Sequence, residues 1–133
     1  MASIFSRIVA REIPAHIVAE TELFLAFLDA FPTAKGHTLV ILKQEIDYLF
    51  DLEEDTYTAL MNFARKVAFA VEKAIPCKRV GMAVVGLEVP HVHVHLIPLN
   101  QMADMNFSNK LKISGDELAA IAARIKADFD ELN

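Results

Sequence analysis

Hydrophobic positions in this chain repeat with two different periods, and the switches between them outline its elements. Residues 16–20 and 22–29 are two apolar runs separated by the polar Glu20–Thr21–Glu22, which predicts a β-hairpin. Residues 37–43 (HTLVILK) are β-branched and apolar, and predict a third strand after a loop marked by Pro32 and Gly36. Over residues 52–75 the period lengthens. Leu60, Met61, Ala64, Val67, Ala68, Val71 and Ile75 recur every three or four residues, as on one face of a long helix. Asp51 with Glu54 reads as its start signal, and Pro76 follows its end. Residues 79–85 and 91–97 predict two more strands with a turn near Gly86. A Ser114-x-x-Glu117 capping box opens a last helix whose stripe is Leu118, Ile121, Ala122, Ile125 and Phe129. The short apolar segment 3–9 has room for about one helical turn.

Five strands joined partly by hairpins, one long central helix and a C-terminal helix predict an α+β fold around an antiparallel sheet. With 133 residues and no repeat or linker, a single domain over 1–133 is expected. Hydrophobic residues make up 54% and charged residues 23%, which excludes a disordered chain. No apolar run approaches the ~20 residues that span a bilayer, so no membrane segment is expected. Arg7, Arg11, Glu12 and Pro14 interrupt any secretory apolar region. The single cysteine, Cys77, rules out an intrachain disulfide and points to a cytoplasmic protein. A net charge of −5 argues against nucleic acid as a partner, because duplex binding needs a basic face.

The candidate chemistry sits in residues 90–98, Pro-His-Val-His-Val-His-Leu-Ile-Pro. Side chains alternate along a strand, so His91, His93 and His95 share one face about 6.6–6.8 Å apart while Val92, Val94 and Leu96 face the core. The two prolines are expected to bracket the strand. Three readings fit such a row. It is a solvated face, a zinc site completed from His37, Glu45, Glu88 or Cys77, or a nucleophilic centre acting at phosphorus. A neutral imidazole, with an unperturbed pKa near ~6.5, is a competent nucleophile at neutral pH. Read alone, Phe5, Ile13 and Phe27 are core, Asp29 is a turn residue, His37 a strand-edge histidine, Cys77 a structural thiol, and Lys110 and Lys112 are solvated.

The segment His-Val-His-Val-His-Leu-Ile-Pro resembles the signature of the histidine triad (HIT) family of nucleotide hydrolases and transferases, in its Hint-like branch. Residues 3–9 with Arg11-Glu12-Ile13-Pro14-Ala15 resemble its N-terminal segment. Leu25 to Asp29 with Pro32, and Gly36 to Ile41, resemble its nucleotide-pocket strands. The resemblance implies a two-layer HIT-like domain with a family core over 1–100 and a C-terminal loop and helix over 101–133. It implies a homodimer that needs no cofactor and cleaves a nucleoside monophosphate from a substituent on its α-phosphate. By position His93 would be the nucleophile of a covalent nucleotidyl-histidine intermediate, held through its other ring nitrogen by a main-chain carbonyl. His91 and His95 would flank it, with His37 as the fourth histidine. Asp29 and Ala30 would meet the ribose side, and Phe5, Ile13 and Phe27 would wall the base. Gly86, Leu87 and Glu88 would face the phosphate and the leaving group.

The chain departs from the family pattern in two places. Where some members bind a structural zinc, it has Ser3, Ser6 and Glu45, leaving only His91, so no metal is expected. Before the triad it has Gly86-Leu87-Glu88 in place of glycine-glutamine-serine or threonine, and residues 79–85 hold no asparagine. These departures keep two other readings open, nucleotidyl transfer and a catalytically weak nucleotide-binding scaffold. Glu88 itself is expected either in solvent or beside the leaving group, where a carboxyl can attract an amine or donate a proton.

Overall fold

The computed structural model describes residues 2–133. In chain order it has α1 (Ile4–Val9), β1 (Ile17–Glu20), β2 (Phe24–Leu28), β3 (Thr38–Leu42), α2 (Glu54–Ala74), β4 (Arg79–Ala83), β5 (His93–Leu99) and α3 (Gly115–Leu132), with 3₁₀ turns at Leu49–Asp51 and Met102–Met105. The five strands form one antiparallel sheet in the order β1-β2-β3-β5-β4. This is the α+β architecture expected from the periodicity.

Strand alternation splits the core into two layers. Ala26, Leu28, Val40, Leu42, Val94 and Leu96 face α2 and α3 and form the main core with Leu60, Val67, Val71, Ile121 and Ile125. Leu25, Phe27, Leu39 and Ile41 point to the opposite side and close against Phe5 and Ile8 of α1. Each fully buried Leu, Ile or Val side chain contributes about 1.5–3 kcal/mol, so the main core anchors the sheet against α2 and α3. Arg124 of α3 donates to the carbonyl of Ala74 at 2.5 Å, tying the last helix to the end of α2.

Several boundaries differ from the expectation. Asp51 does not start α2. It lies in a 3₁₀ turn, and Glu53 is the N-cap without a side-chain bond. Phe63, Ala70 and Ala74 of α2 are buried, whereas Met61 and Ala68 only edge the core. Ile75, before Pro76, is already extended, as the steric demand of the proline ring requires. Half of the Ser114 capping box forms. The serine accepts from the Glu117 amide at 3.1 Å, but the Glu117 carboxylate pairs with Lys35 at 2.7 Å. β5 begins at His93 rather than at 91, and Pro98 lies inside it, opposite Val80. Proline is tolerated there because Pro98 stands beyond Thr38↔Leu96, the last pair with β3.

A candidate active site on the open face of the sheet

α1, the end of β2 and the 84–92 loop enclose a cleft of about 670 Å³ on the side of the sheet that packs against α1, with Leu118 of α3 also in its lining. Ten of the twelve expected site residues line it: Phe5, Ile13, Phe27, Asp29, Ala30, Gly86, Leu87, Glu88, His93 and His95. The other two, His91 and His37, stand behind the lining, buried to 0% and 1% exposure. His91 precedes β5, so the expected three-residue row on one strand is two residues on the strand and one in its lead-in. The sequence placed His91 on the correct side all the same, since its ring lies 5.8 Å from that of Phe5. Gly86 has φ +74, which favours glycine at the turn that brings Leu87 and Glu88 to the cleft.

Hydrogen-bond directions fix the protonation of each imidazole. A carbonyl only accepts, so His93 must donate from Nδ1 to the His91 main-chain oxygen, at 2.7 Å. In the neutral ring the lone pair is then on Nε2. At His37 the Thr33 amide donates to Nδ1 at 3.1 Å, which leaves the proton on Nε2. That proton is donated to Nδ1 of His95 at 3.0 Å, and His95 in turn carries its own proton on Nε2. The rings of His93 and His95 lie 5.0 Å apart, so a bare nitrogen and an N–H stand side by side along the cleft.

Burial keeps these rings neutral. It lowers His37 to about 3, assisted by the charge His95 would carry, and it lowers His95 to about 4, assisted by His93. His93 is also held below the ordinary 6.5 by burial, partly offset by the His91 carbonyl. Asp29 goes the other way. Burial pushes its carboxyl up, opposed by the Phe31 amide that donates to Oδ1 at 2.9 Å. Its Oδ2 is 3.5 Å from Nε2 of His37.

Two cleft residues come from a segment in which the sequence offered no signal. The ring of Phe107 packs 4.7 Å from that of His95, and Lys110 lies over it with Nζ 5.8 Å from the centroid. Two bonds hold this segment on the site, Leu111 N–H to the Pro32 carbonyl at 2.7 Å and Thr33 Oγ1 to the Asp104 carbonyl at 2.8 Å. Lys110 is exposed, as expected, yet it also lines the cleft. Among the described residues it has no carboxylate within ion-pair distance.

Residues 10–102 match the HIT domain. The chain belongs to the HIT family. It is 38% identical over 100 residues to the adenosine 5'-monophosphoramidase hnt1 of Schizosaccharomyces pombe, a match covering 74% of each chain. A HIT-like protein involved in cell-cycle regulation from Bartonella henselae shares the fold at TM-score 0.83 and 30% identity, with 95% of both chains covered. A zinc-bound histidine triad family protein from Mycobacterium smegmatis also reaches 0.83 at 25% identity, covering 99% of this chain and 96% of its own.

The last neighbour raises the question of a metal here. Ser3, Ser6, Glu45 and His91 do converge, but as a closed hydrogen-bonded set with Ser3 Oγ 2.7 Å from His91 Nδ1 and Ser6 Oγ 2.7 Å from Glu45. Among the described residues no buried side-chain nitrogen or oxygen lacks a partner. Two neutral hydroxyls and one carboxylate, all already bonded, do not fit a structural zinc. Asp29, His37 and His95 form a second convergent group, with ligand atoms within 4.8 Å of one another. There an ion would have to take the two ring nitrogens now joined by a proton.

Proposed function

We propose that this HIT protein is a nucleotide hydrolase that cleaves a nucleoside monophosphate, AMP or GMP, from a substituent on its α-phosphate through a covalent intermediate on His93. The observation that carries this reading is the orientation of His93. The carbonyl of His91 holds its Nδ1–H, so the Nε2 lone pair is available to the cleft. The phosphoramidase activity named for the related yeast protein supports the same reaction class.

The residues divide the work by chemistry. Phe5, Ile13 and Phe27 offer an apolar slot for the base, and Asp29 a hydrogen-bond acceptor for the ribose hydroxyls. His93 Nε2 attacks phosphorus and the bond to the substituent breaks, the leaving group departing with its electron pair and taking up a proton from solvent, to which the water of the second step later returns one. Charge gathers on the non-bridging oxygens during this step, and the His95 Nε2–H is a preorganised donor for it. Water then attacks the nucleotidyl-histidine, the P–N bond breaks, and the monophosphate leaves with His93 restored. Splitting one displacement into two lowers each barrier. Lys110 and Glu88 place one charge of each sign on the cleft, so leaving groups of either charge can be recognised there.

A homodimer and a reducing, cytoplasmic setting complete the proposal. β4 is an edge strand with Met82 exposed, and α2 leaves Phe69 half exposed, which together offer a pairing edge with apolar surface. Cys77 is a free thiol, and no helix among the described residues is long and apolar enough to cross a membrane. Light scattering on the purified protein tests the dimer.

The function is tested by turnover of adenosine phosphoramidates, dinucleoside polyphosphates and acyl-adenylates, with intact-mass detection of a nucleotidyl adduct. The expected result is hydrolysis and an adduct, both lost in His93→Ala. Nucleotide binding with neither would make the chain a scaffold. A new nucleoside diphosphate-type product on adding inorganic phosphate would make it a transferase.

A further inference from the structure

The buried ring of His91 does not line the cleft, yet both of its nitrogens are engaged. The Leu42 carbonyl, 2.6 Å from Nε2, can only accept, so Nε2 carries the proton. Nδ1 therefore needs a donor, and the Ser3 hydroxyl supplies it at 2.7 Å. The same Ser3 oxygen accepts the Ser6 amide at 3.0 Å as the N-cap of α1. Glu45, in the loop after β3, accepts from the Ser3 amide at 2.6 Å and from the Ser6 hydroxyl at 2.7 Å. These two bonds hold the Glu45 carboxyl down at about 2, well ionised at neutral pH. Three segments distant in sequence thus meet around Ser3.

Two of the three lead to the cleft, and the loop that carries Glu45 braces them. α1 carries Phe5, whose ring is 4.9 Å from that of His93 and 5.7 Å from Phe27. The lead-in to β5 carries the His91 carbonyl that takes the His93 Nδ1 proton. We propose that Ser3, braced by Glu45, is a positioning residue for His93: through His91 it sets the carbonyl that selects the nucleophile's tautomer, and through α1 it sets the wall of the base slot. This hydrogen-bonded clip occupies the positions where the resemblance would place a structural metal, and it does the fastening with neutral donors and one carboxylate. The inference rests on His93 being the nucleophile, but part of its test does not.

That part is the His93 tautomer, read from long-range proton–nitrogen NMR correlations of the imidazoles in the unliganded protein. Wild type should show His93 protonated on Nδ1 alone. Ser3→Ala leaves the buried His91 Nδ1 with only the Ser6 hydroxyl, 3.4 Å away and already donated to Glu45, and a mixed His93 tautomer is expected. Misplacing the nucleophile should cut kcat by about 10²-fold, with KM changing less. Ser3→Thr keeps the hydroxyl and should restore both the tautomer and most of kcat. If Ser3→Ala does not fold, Glu45→Ala, at an exposed position, should give the same tautomer mixing with a smaller kcat loss. A pure Nδ1–H tautomer with unchanged kcat in the folded variant would overturn the proposal. A wild type with no hydrolysis but a Ser3-dependent tautomer would refute the hydrolase reading and leave the clip standing.

Discussion

The two ends of the cleft are built differently. At the Phe5 end, Ser3, Ser6, Glu45 and His91 form a closed set of short hydrogen bonds, and the ring that results is fixed in position and protonation. At the Phe107 end, His37 and His95 are fixed in the same way by the Thr33 amide, but the outer wall is an exposed lysine stacked on a phenylalanine. At the first end Glu45 and His91 lie inside the family match, while Ser3, Phe5 and Ser6 precede it. The second borrows its outer wall from residues beyond 102, where the family match stops. The surroundings of His93 are thus fastened from the N-terminal segment and the loop after β3, and those of His95 are walled from outside by a segment beyond the family match.

Breaking the inner part of the second end should have the largest effect. His37→Leu removes the donor that sets the His95 tautomer, and kcat should fall by about 10²-fold with nucleotide affinity nearly unchanged. Steady-state kinetics with calorimetric binding of AMP checks this. A loss confined to KM would show that His37 serves only binding.

Acid is expected to act on both ends together. His93 is held below 6.5 and must be neutral to attack, so the rate should drop by about tenfold per pH unit once the pH passes below its folded pKa. Stability should fall in the same direction. With folded values of about 3 for His37 and 4 for His95 against 6.5 unfolded, the unfolded chain binds more protons between those limits. Stability therefore rises with pH across that window and is fully present above about 6.5. Urea unfolding at pH 4.5 and 7.5 measures it, and a pH-independent midpoint would contradict the burial of neutral rings.

A smaller effect should separate the two outer charges. Exposed charges of this kind are worth up to about 1 kcal/mol, or roughly fivefold. Lys110→Ala should lower kcat/KM by about that factor for polyphosphate leaving groups and hardly at all for neutral amines, with the difference fading in high salt. Glu88→Gln should act oppositely, slowing amine-leaving substrates. A competition assay with one substrate of each class reads both, and identical ratios in wild type and variants would remove these residues from recognition. The smallest expected effect is none: prolonged treatment with a strong chelator should leave the rate unchanged, because both convergent side-chain groups are joined by hydrogen bonds. Loss of activity that zinc restores would reverse that expectation.

Much of this was legible in the residue pattern. The period of Leu60, Ala64, Val67 and Val71 marked α2, and alternation placed Val92, Val94 and Leu96 in the core opposite the histidines. Ten of the twelve site residues expected from the family resemblance reach the cleft: β2 and β5 present Phe27, His93 and His95, and α1, the loops and the 84–92 segment bring the rest. Strand limits were less legible. Nothing local distinguishes the alternating His91-Val92 from the start of β5, and Pro98 is admitted to the strand only because β3 ends short of it.

The sequence by itself determined the elements and the two faces of the sheet, with His93 and His95 on one and Val94 and Leu96 on the other, since these depend on periodicities of two and 3.6 residues. Only the tertiary structure decided which nitrogen of each imidazole carries the proton. For His91 and His95 that choice depends on partners 49 to 88 residues away, the Ser3 hydroxyl and Leu42 carbonyl for His91 and the His37 ring for His95, whereas His93 and His37 are set by the nearby His91 carbonyl and Thr33 amide once the chain has closed around them. The tertiary structure also turned Lys110 from a solvated lysine into a wall of the cleft. A hydrogen bond is directional and short-ranged, so its partners exist only after the chain has closed on itself, whereas a hydrophobic period is complete in the strand or helix that bears it.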